Sequence, residues 1–236
     1  MKTKMNNKVK ALLMACCAVL LVFASVIGTL AYLTDTTDKV TNTFTVGNVE
    51  IKLTEANVDT DGNATNGRNE TGMTDVKLIP GRTIDKDPTV SVKKGSENCY
   101  VRMLVTVDGL NALKAAFPQS RYADWYLTDG TFLLQNLVMD SSNASTWNTE
   151  WECIKVTSNT YEFRYAYIVD TDNFSDDDND EFVELPELFK NVTVPGTMTN
   201  EEYANLQDVK IIIEAHAIQS EGFANANEAW EAFPTT

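Results

Sequence analysis

The sequence offers few residues whose type and spacing could support catalysis. Its only histidine is His216. A zinc protease typically places two histidines one helical turn apart with a glutamate between them, and this chain has no such pair. It also lacks a glycine-flanked nucleophile elbow and a glycine-rich phosphate loop. Because His216 lies inside an alternating apolar segment, we interpret it as an ordinary strand residue and predict neither a catalytic site nor a cofactor.

Two acidic segments carry oxygen ligands of the kind that Ca²⁺ prefers. They are residues 59–63 and residues 176–180. Neither matches an EF-hand loop; in the first, Ala64 stands where that loop needs glycine. Acidic loops are usually only solvated, so a Ca²⁺ site and a plain solvated loop are both open interpretations.

The cysteines allow two interpretations. Cys16 and Cys17 lie in the N-terminal apolar run, which leaves Cys99 and Cys153 in the rest of the chain. In an exported protein these two could form a disulfide, closing a loop worth roughly 4 kcal/mol on the chain-entropy model. They could equally be separate thiols packed as small hydrophobic side chains.

Most of the chain shows sequence patterns typical of β-strands, so we expect strands to position the residues discussed above. Apolar side chains alternate cleanly over 99–107 and again over 209–218, which predicts two half-buried strands. Residues 151–156 and 161–169 read as the arms of a hairpin. Residues 57–72 are rich in Asn, Asp, Gly and Thr, so we expect a long exposed loop there. With no βαβ rhythm, the pattern predicts an all-β chain folded as a β-sandwich.

Short helices are expected in the connections between strands. Leu110, Leu113 and Phe117 recur at helical spacing before Pro118. Thr199 and Glu202 have the spacing of a capping box, which predicts a second short helix.

The N-terminus has the three-part order of a secretory signal. Lysines 2, 4, 8 and 10 precede an apolar run over 11–27, and small residues follow. We predict cleavage between Ala31 and Tyr32, so that residues 1–31 form the signal peptide; an uncleaved membrane anchor is the alternative. The released chain would be extracellular and would have no membrane segment.

Charge excludes one class of partner. The full chain has a net charge of −15, and loss of the four lysines would leave 15 basic against 34 acidic residues, a net charge of about −19. Such a surface repels nucleic acid and favours solubility, so we expect no nucleic-acid partner.

Three patches resemble the TasA/camelysin family of biofilm-matrix proteins. The first runs from Gly28 to Asp35 and continues from Asn42 to Ile51. The second joins 78–81 to Tyr100-Val101-Arg102, and the third runs from Ala215 to Phe223 and includes Ala229-Trp230. Leu33, Val46 and His216 depart from the family pattern. The patches follow the family order over nearly all of the chain beyond the signal.

The resemblance implies a jelly-roll subunit, residues 44–236 in one domain, that polymerises with copies of itself after a SipW-type signal peptidase cuts the precursor. It also implies that an N-terminal arm, residues 32–43, is donated as a strand to the next subunit. The expected donor-strand positions, which extend into the first residue of the domain, are Tyr32, Thr34, Thr36, Val40 and Phe44.

Two other functions compete with this interpretation. A monomeric binding module for sugars or cell surfaces would use exposed tryptophans such as Trp125, Trp147 or Trp151. A surface metalloprotease is the enzyme activity associated with camelysin, although the sequence shows no recognisable metal ligands for it.

Overall fold

A computed structural model describes residues 34–36, 49–72, 76, 78–139, 146–171 and 181–234. Within these residues the strands are β1 Thr34–Thr36, β2 Ile51–Val58, β3 Ala64–Asn69, β4 Thr83–Asp85, β5 Thr89–Lys93, β6 Cys99–Asp108, β7 Val138–Met139, β8 Trp151–Val156, β9 Thr160–Tyr165, β10 Phe182–Glu184, β11 Asn191–Thr193 and β12 Lys210–Gln219. The helices are short: α1 Leu110–Ala116, α2 Asn200–Ala204 and α3 Ala226–Ala232, with single 3₁₀ turns at Ala123–Trp125, Leu134–Asn136 and Asn205–Asp208. The all-β prediction is confirmed at this level.

The strands form three antiparallel sheets. The largest has the order β1-β12-β6-β9-β8, the second has the order β10-β5-β2-β3, and the third has the order β4-β11-β7. β6 and β12 pair over ten residues, from Lys210 opposite Asp108 to Gln219 opposite Cys99. This long central pair holds the largest sheet together, and β1 lies at its edge beside β12.

Side-chain alternation places one face of each large sheet in a shared core. Every second residue of β6, from Cys99 to Val107, is buried, while most residues between them are half-buried. The same cluster includes Ile51 and Val92 from the second sheet and Ala215 from β12. Burial of apolar surface at roughly 25 cal/mol per Å² is the main stabilising contribution of this shared core.

The opposite face of the largest sheet is covered at one end by α3. Ile218, Ala229, Trp230 and Phe233 form a smaller buried cluster there. Asn225 caps α3, because its side-chain oxygen accepts a hydrogen bond from the Glu228 amide. α3 therefore shields the C-terminal half of β12 on the side away from the main core.

The predicted local structure is correct at both helices. Residues 110–116 are helical, and the Thr199–Glu202 capping box is present with both of its hydrogen bonds. Within the described residues, no helix combines the length and apolar character needed to cross a membrane.

The prediction of a long exposed loop over residues 57–72 is wrong, because this range contains strand β3. β2 and β3 form a hairpin in which Glu55 pairs with Asn69 and Val58 pairs with Ala64. Arg68, in strand β3 of this hairpin, donates hydrogen bonds to the Asp87 carboxylate and to the hydroxyl oxygens of Thr54 and Thr89. β3 is largely exposed, so it shows no apolar alternation from which its pairing could be read.

Candidate functional site at the edge of strand β12

The edge of β12 already carries an added strand. β1 pairs with it in antiparallel register, with Thr34 opposite Ile218, Asp35 opposite Ala217 and Thr36 opposite His216. In the part of the chain that the structure describes, no strand lies beside Lys210–Glu214 on the side away from β6. Exposed backbone donors and acceptors on such an edge favour addition of another strand.

An apolar groove opens next to this part of β12. Its volume is about 390 Å³. Residues 209–213 form one wall, and the others come from the second sheet, the third sheet, α1 and the 3₁₀ turn that precedes β12. Its apolar lining includes Leu53, Ile84, Leu113, Phe117, Val194 and Leu206. The groove therefore lies along the same strand as the described β1–β12 pairs, separated from them by Glu214 and Ala215.

A buried ion pair lies among these apolar side chains. Lys86 Nζ is 2.5 Å from Glu55 Oε1, and both side chains are 8 % exposed. Glu55 Oε2 is buried and has no hydrogen-bond partner among the described residues. A buried carboxylate oxygen without a donor is costly, so the groove contains one unmet hydrogen-bond requirement.

His216 lies on the opposite face of β12, under α3. Arg102 Nε donates a hydrogen bond of 3.1 Å to His216 Nδ1, and the imidazole stacks on Phe233 with ring centroids 4.8 Å apart. Burial and the neighbouring Arg102 guanidinium lower the pKa of His216 to about 4. The guanidinium also lies over the Trp230 ring and 3.6 Å from Glu162. At neutral pH His216 is therefore a neutral hydrogen-bond acceptor whose Nδ1 lone pair is already used.

His216→Ala is expected to leave any casein-degrading activity of a clean preparation unchanged. Its Nδ1 is occupied by Arg102, and its low pKa makes it a weak base near pH 7. The measurement is caseinolysis by the purified variant and the unchanged protein, with and without a chelator. A chelator-sensitive activity that disappeared on mutation would revive the metalloprotease interpretation.

In the acidic segment 59–63, the Asp59 carboxylate is hydrogen-bonded within its own turn. Asp59 Oδ1 accepts hydrogen bonds from the Asp61 and Asn63 amides, and these bonds lower the pKa of Asp59. Asp61 forms an ion pair with Arg82 at 3.1 Å. Within the described residues, no three His, Cys, Asp or Glu side chains are grouped as metal ligands. Residues 176–180 lie outside the described residues.

Cys99 and Cys153 are free thiols in this structure. Cys153 pairs with Phe163, which pairs with Met103, four residues along β6 from Cys99. Two strand spacings, roughly 10 Å, and four strand residues, roughly 13 Å, separate the two positions. A disulfide needs Cα atoms within about 7 Å, so the structure favours the separate-thiol interpretation. Burial raises the pKa of Cys99 to about 12 and also raises that of Cys153.

The three tryptophans proposed for a sugar site are not exposed platforms. Trp151 is 1 % exposed and its indole Nε1 donates to the Pro186 carbonyl oxygen. Trp125 and Trp147 are partly buried against the main core, where Trp125 stacks on Phe117 with ring centroids 4.8 Å apart. Trp151 is therefore part of the main core, and Trp125 and Trp147 pack against it.

Of the expected donor-strand positions, Thr34 and Thr36 lie on the β12 edge. Tyr32, Val40 and Phe44, together with the cleavage bond after Ala31, lie outside the described residues.

Sequence reasoning missed Glu55 and Lys86. A signal for Glu55 was present, because it follows Ile51 and Leu53 at the inward phase of β2, where a charged residue is unusual.

No protein-family model, curated protein or solved structure matches this chain. The interpretation of the β12 edge accordingly depends on its geometry and on the residues that form it.

Proposed function

We propose that this chain is a secreted structural subunit that polymerises with copies of itself through its N-terminal arm, residues 32–43, to form extracellular fibres. One observation carries the proposal: the described part of the arm, β1, lies as an added antiparallel strand on the β12 edge. Backbone hydrogen bonds do not depend on which copy supplies the strand. The same edge can therefore accept the arm of a neighbouring subunit.

The groove beside β12 supports a donated strand longer than β1. Residues 209–213 line it, and the three residues that β1 pairs with, 216–218, follow on the same strand after Glu214 and Ala215. Strand addition gains main-chain hydrogen bonds from the edge and side-chain specificity from adjoining pockets. An arm of about ten residues could form a similar number of hydrogen bonds, each contributing roughly 1 kcal/mol net.

The finer fold we propose is a jelly-roll β-sandwich. Its support is the shared core of the two larger antiparallel sheets and their strand orders, in which β12 lies between β1 and β6 and β5 lies between β10 and β2. Such sheets leave edges at which a strand can be added, unlike a closed barrel.

In this proposal, export determines when the subunits can begin to assemble. Cleavage between Ala31 and Tyr32 frees the arm only outside the cytoplasm, because the uncut signal tethers it. The acidic composition, 34 acidic against 19 basic residues in the full chain, favours a soluble free subunit before assembly.

Deleting residues 32–41 from the mature protein is expected to abolish filaments and leave a folded monomer. The deletion removes β1 and the chain that follows it, but none of the paired residues of β6, β9 or β12. Electron microscopy of residues 32–236 and 42–236 at equal concentration measures assembly, and near-ultraviolet circular dichroism measures folding.

Asp38→Asn in the full arm is the control, and it should retain filaments because it removes a charge without removing the strand. Filaments from the truncated protein, or a full mature protein that stayed monomeric at high concentration, would contradict assembly by strand donation.

A further inference from the structure

The groove beside β12 is large enough to hold a small molecule. Its volume of about 390 Å³ falls within the range of roughly 300–1,000 Å³ that is typical of small-molecule pockets. At roughly 30 Å³ for each water-sized group, it holds about a dozen non-hydrogen atoms. Buried aliphatic and aromatic side chains form much of its wall, among them Leu53, Ile84, Leu113, Phe117 and Val194. An occupant of the groove therefore needs an apolar body.

The charged side chains that line the groove cancel one another. They are Glu55, Glu70, Lys86 and Lys210, two of each sign. Lys86 is already paired with Glu55 at 2.5 Å, and both of these side chains are 8 % exposed. A charged occupant would add an unbalanced charge to a largely apolar site, which costs free energy. The groove therefore favours an occupant without net charge.

One buried atom of the lining calls for a hydrogen-bond donor. Glu55 Oε1 accepts a hydrogen bond from Lys86, whereas Glu55 Oε2 is buried and has no partner among the described residues. An ionised carboxylate can only accept hydrogen bonds, so the missing partner is an O–H or N–H group. The neighbouring Asn69 amide already has partners on both of its atoms, because Nδ2 donates to Asn57 Oδ1 and Oδ1 accepts from the Thr71 amide.

We propose that the groove binds a neutral amphiphile of about ten non-hydrogen atoms, whose apolar body lies against β12 and whose single hydroxyl or amide N–H group donates to Glu55 Oε2. A primary aliphatic alcohol is the simplest member of this class. The site does not depend on the proposed function, because every group that defines it belongs to one subunit. If a donated strand enters the same groove, the two occupants exclude each other.

The first test compares two isomers that differ in one hydrogen-bond donor. 1-Octanol and dibutyl ether have the same composition, but only the alcohol has an O–H group. Isothermal titration calorimetry on the mature protein, residues 32–236, should give a Kd for 1-octanol about tenfold lower than for dibutyl ether, because only the alcohol can donate to the ionised carboxylate. Equal affinities would overturn the role of a donor.

The second test changes the charge of the ligand. Octylammonium and octanoate should each bind about tenfold more weakly than 1-octanol, because each brings a net charge into a groove whose own charges cancel. Octanoate also has no proton to donate. Octylammonium that bound as tightly as 1-octanol would overturn the assignment of a neutral ligand.

The acceptor is tested with the double variant Glu55→Leu, Lys86→Met. It removes both members of the ion pair together, so no charge is left buried without a partner. In this variant 1-octanol and dibutyl ether should bind within about twofold of each other. Lys93→Met is the matched control, since the Lys93–Glu50 pair does not line the groove, and it should keep the tenfold preference. A tenfold preference that persisted in the double variant would overturn Glu55 as the acceptor.

The position of the ligand is read from methyl resonances in nuclear magnetic resonance spectra. Titration with 1-octanol should shift the methyl groups of Ile84 and Leu113, which line the groove, and leave those of the exposed Ile154 unchanged. Equal shifts at Ile154 would indicate non-specific binding and overturn the site. If 1-octanol did not bind the mature protein at all, the groove would be closed to such ligands. That outcome would overturn the ligand site while leaving arm-dependent assembly intact.

Discussion

Lys86→Met is expected to lower the free energy of unfolding of the mature protein by about 3 kcal/mol. The substitution leaves the Glu55 carboxylate without its ammonium partner, which lies 2.5 Å away in a pair that is 8 % exposed on each side. A carboxylate among aliphatic and aromatic side chains is poorly solvated, so the remaining charge is costly. The loss is at the low end for buried pairs because exposed residues, Thr71 and Lys210, line the rim of the groove. Urea denaturation followed by tryptophan fluorescence measures it.

Lys93→Met is the matched control, since Lys93 pairs with Glu50 at 2.9 Å with 35 % of its side chain exposed. Its loss should be much smaller than that of Lys86→Met, because exposed ion pairs contribute little. Adding Glu55→Leu to Lys86→Met should recover most of the stability, since two apolar residues need no partners. A cost for Lys86→Met no larger than that for Lys93→Met would show that the pair is not desolvated.

Acid is expected to destabilise the protein through His216 before most carboxylates titrate. Burial and Arg102 hold the pKa of His216 at about 4, below its ordinary value of 6.5. Between these two pH values the unfolded chain binds a proton that the folded chain does not. The stability contributed by the neutral imidazole is therefore complete above pH 6.5 and is lost as the pH falls toward 4. The loss from this residue between pH 7 and pH 4.5 is about 2 kcal/mol.

His216→Phe isolates this effect. Phenylalanine can still stack on Phe233, as the imidazole does at 4.8 Å, but it has no proton to gain. Urea denaturation at pH 7 and at pH 4.5 should show a decline about 2 kcal/mol smaller in the variant than in the unchanged protein. Equal declines would mean that His216 titrates normally and that α3 does not desolvate it.

Local patterns predicted the central strands correctly. The alternation over residues 99–107 and 209–218 corresponds to β6 and β12, whose buried residues occupy one face. Their phase is readable because a strand has a two-residue period and one of its faces meets an apolar core. The Thr199–Glu202 cap was readable for a similar reason, since both hydrogen bonds span only three residues.

The β2–β3 hairpin and the polar base of the groove could not be read in this way. β3 is exposed, and its pairing depends on contacts of Arg68 with Thr54, Asp87 and Thr89. Lys86 lies in the connection between β4 and β5 and meets Glu55 across 31 residues of sequence. No local period marks such a partner, because the contact exists only after the sheets have packed.

The sequence by itself determined that this chain is rich in antiparallel strands, which faces of β6 and β12 are buried, and that its one histidine lies on the outer face of β12. These features depend on side-chain period and on hydrogen bonds within a few residues. Only the tertiary structure decided that β1 lies on the β12 edge and that Glu55, Lys86 and Ile213 line one groove beside it. The physical reason is that strand order and sheet packing are set by long-range burial, which brings together residues that no local pattern relates.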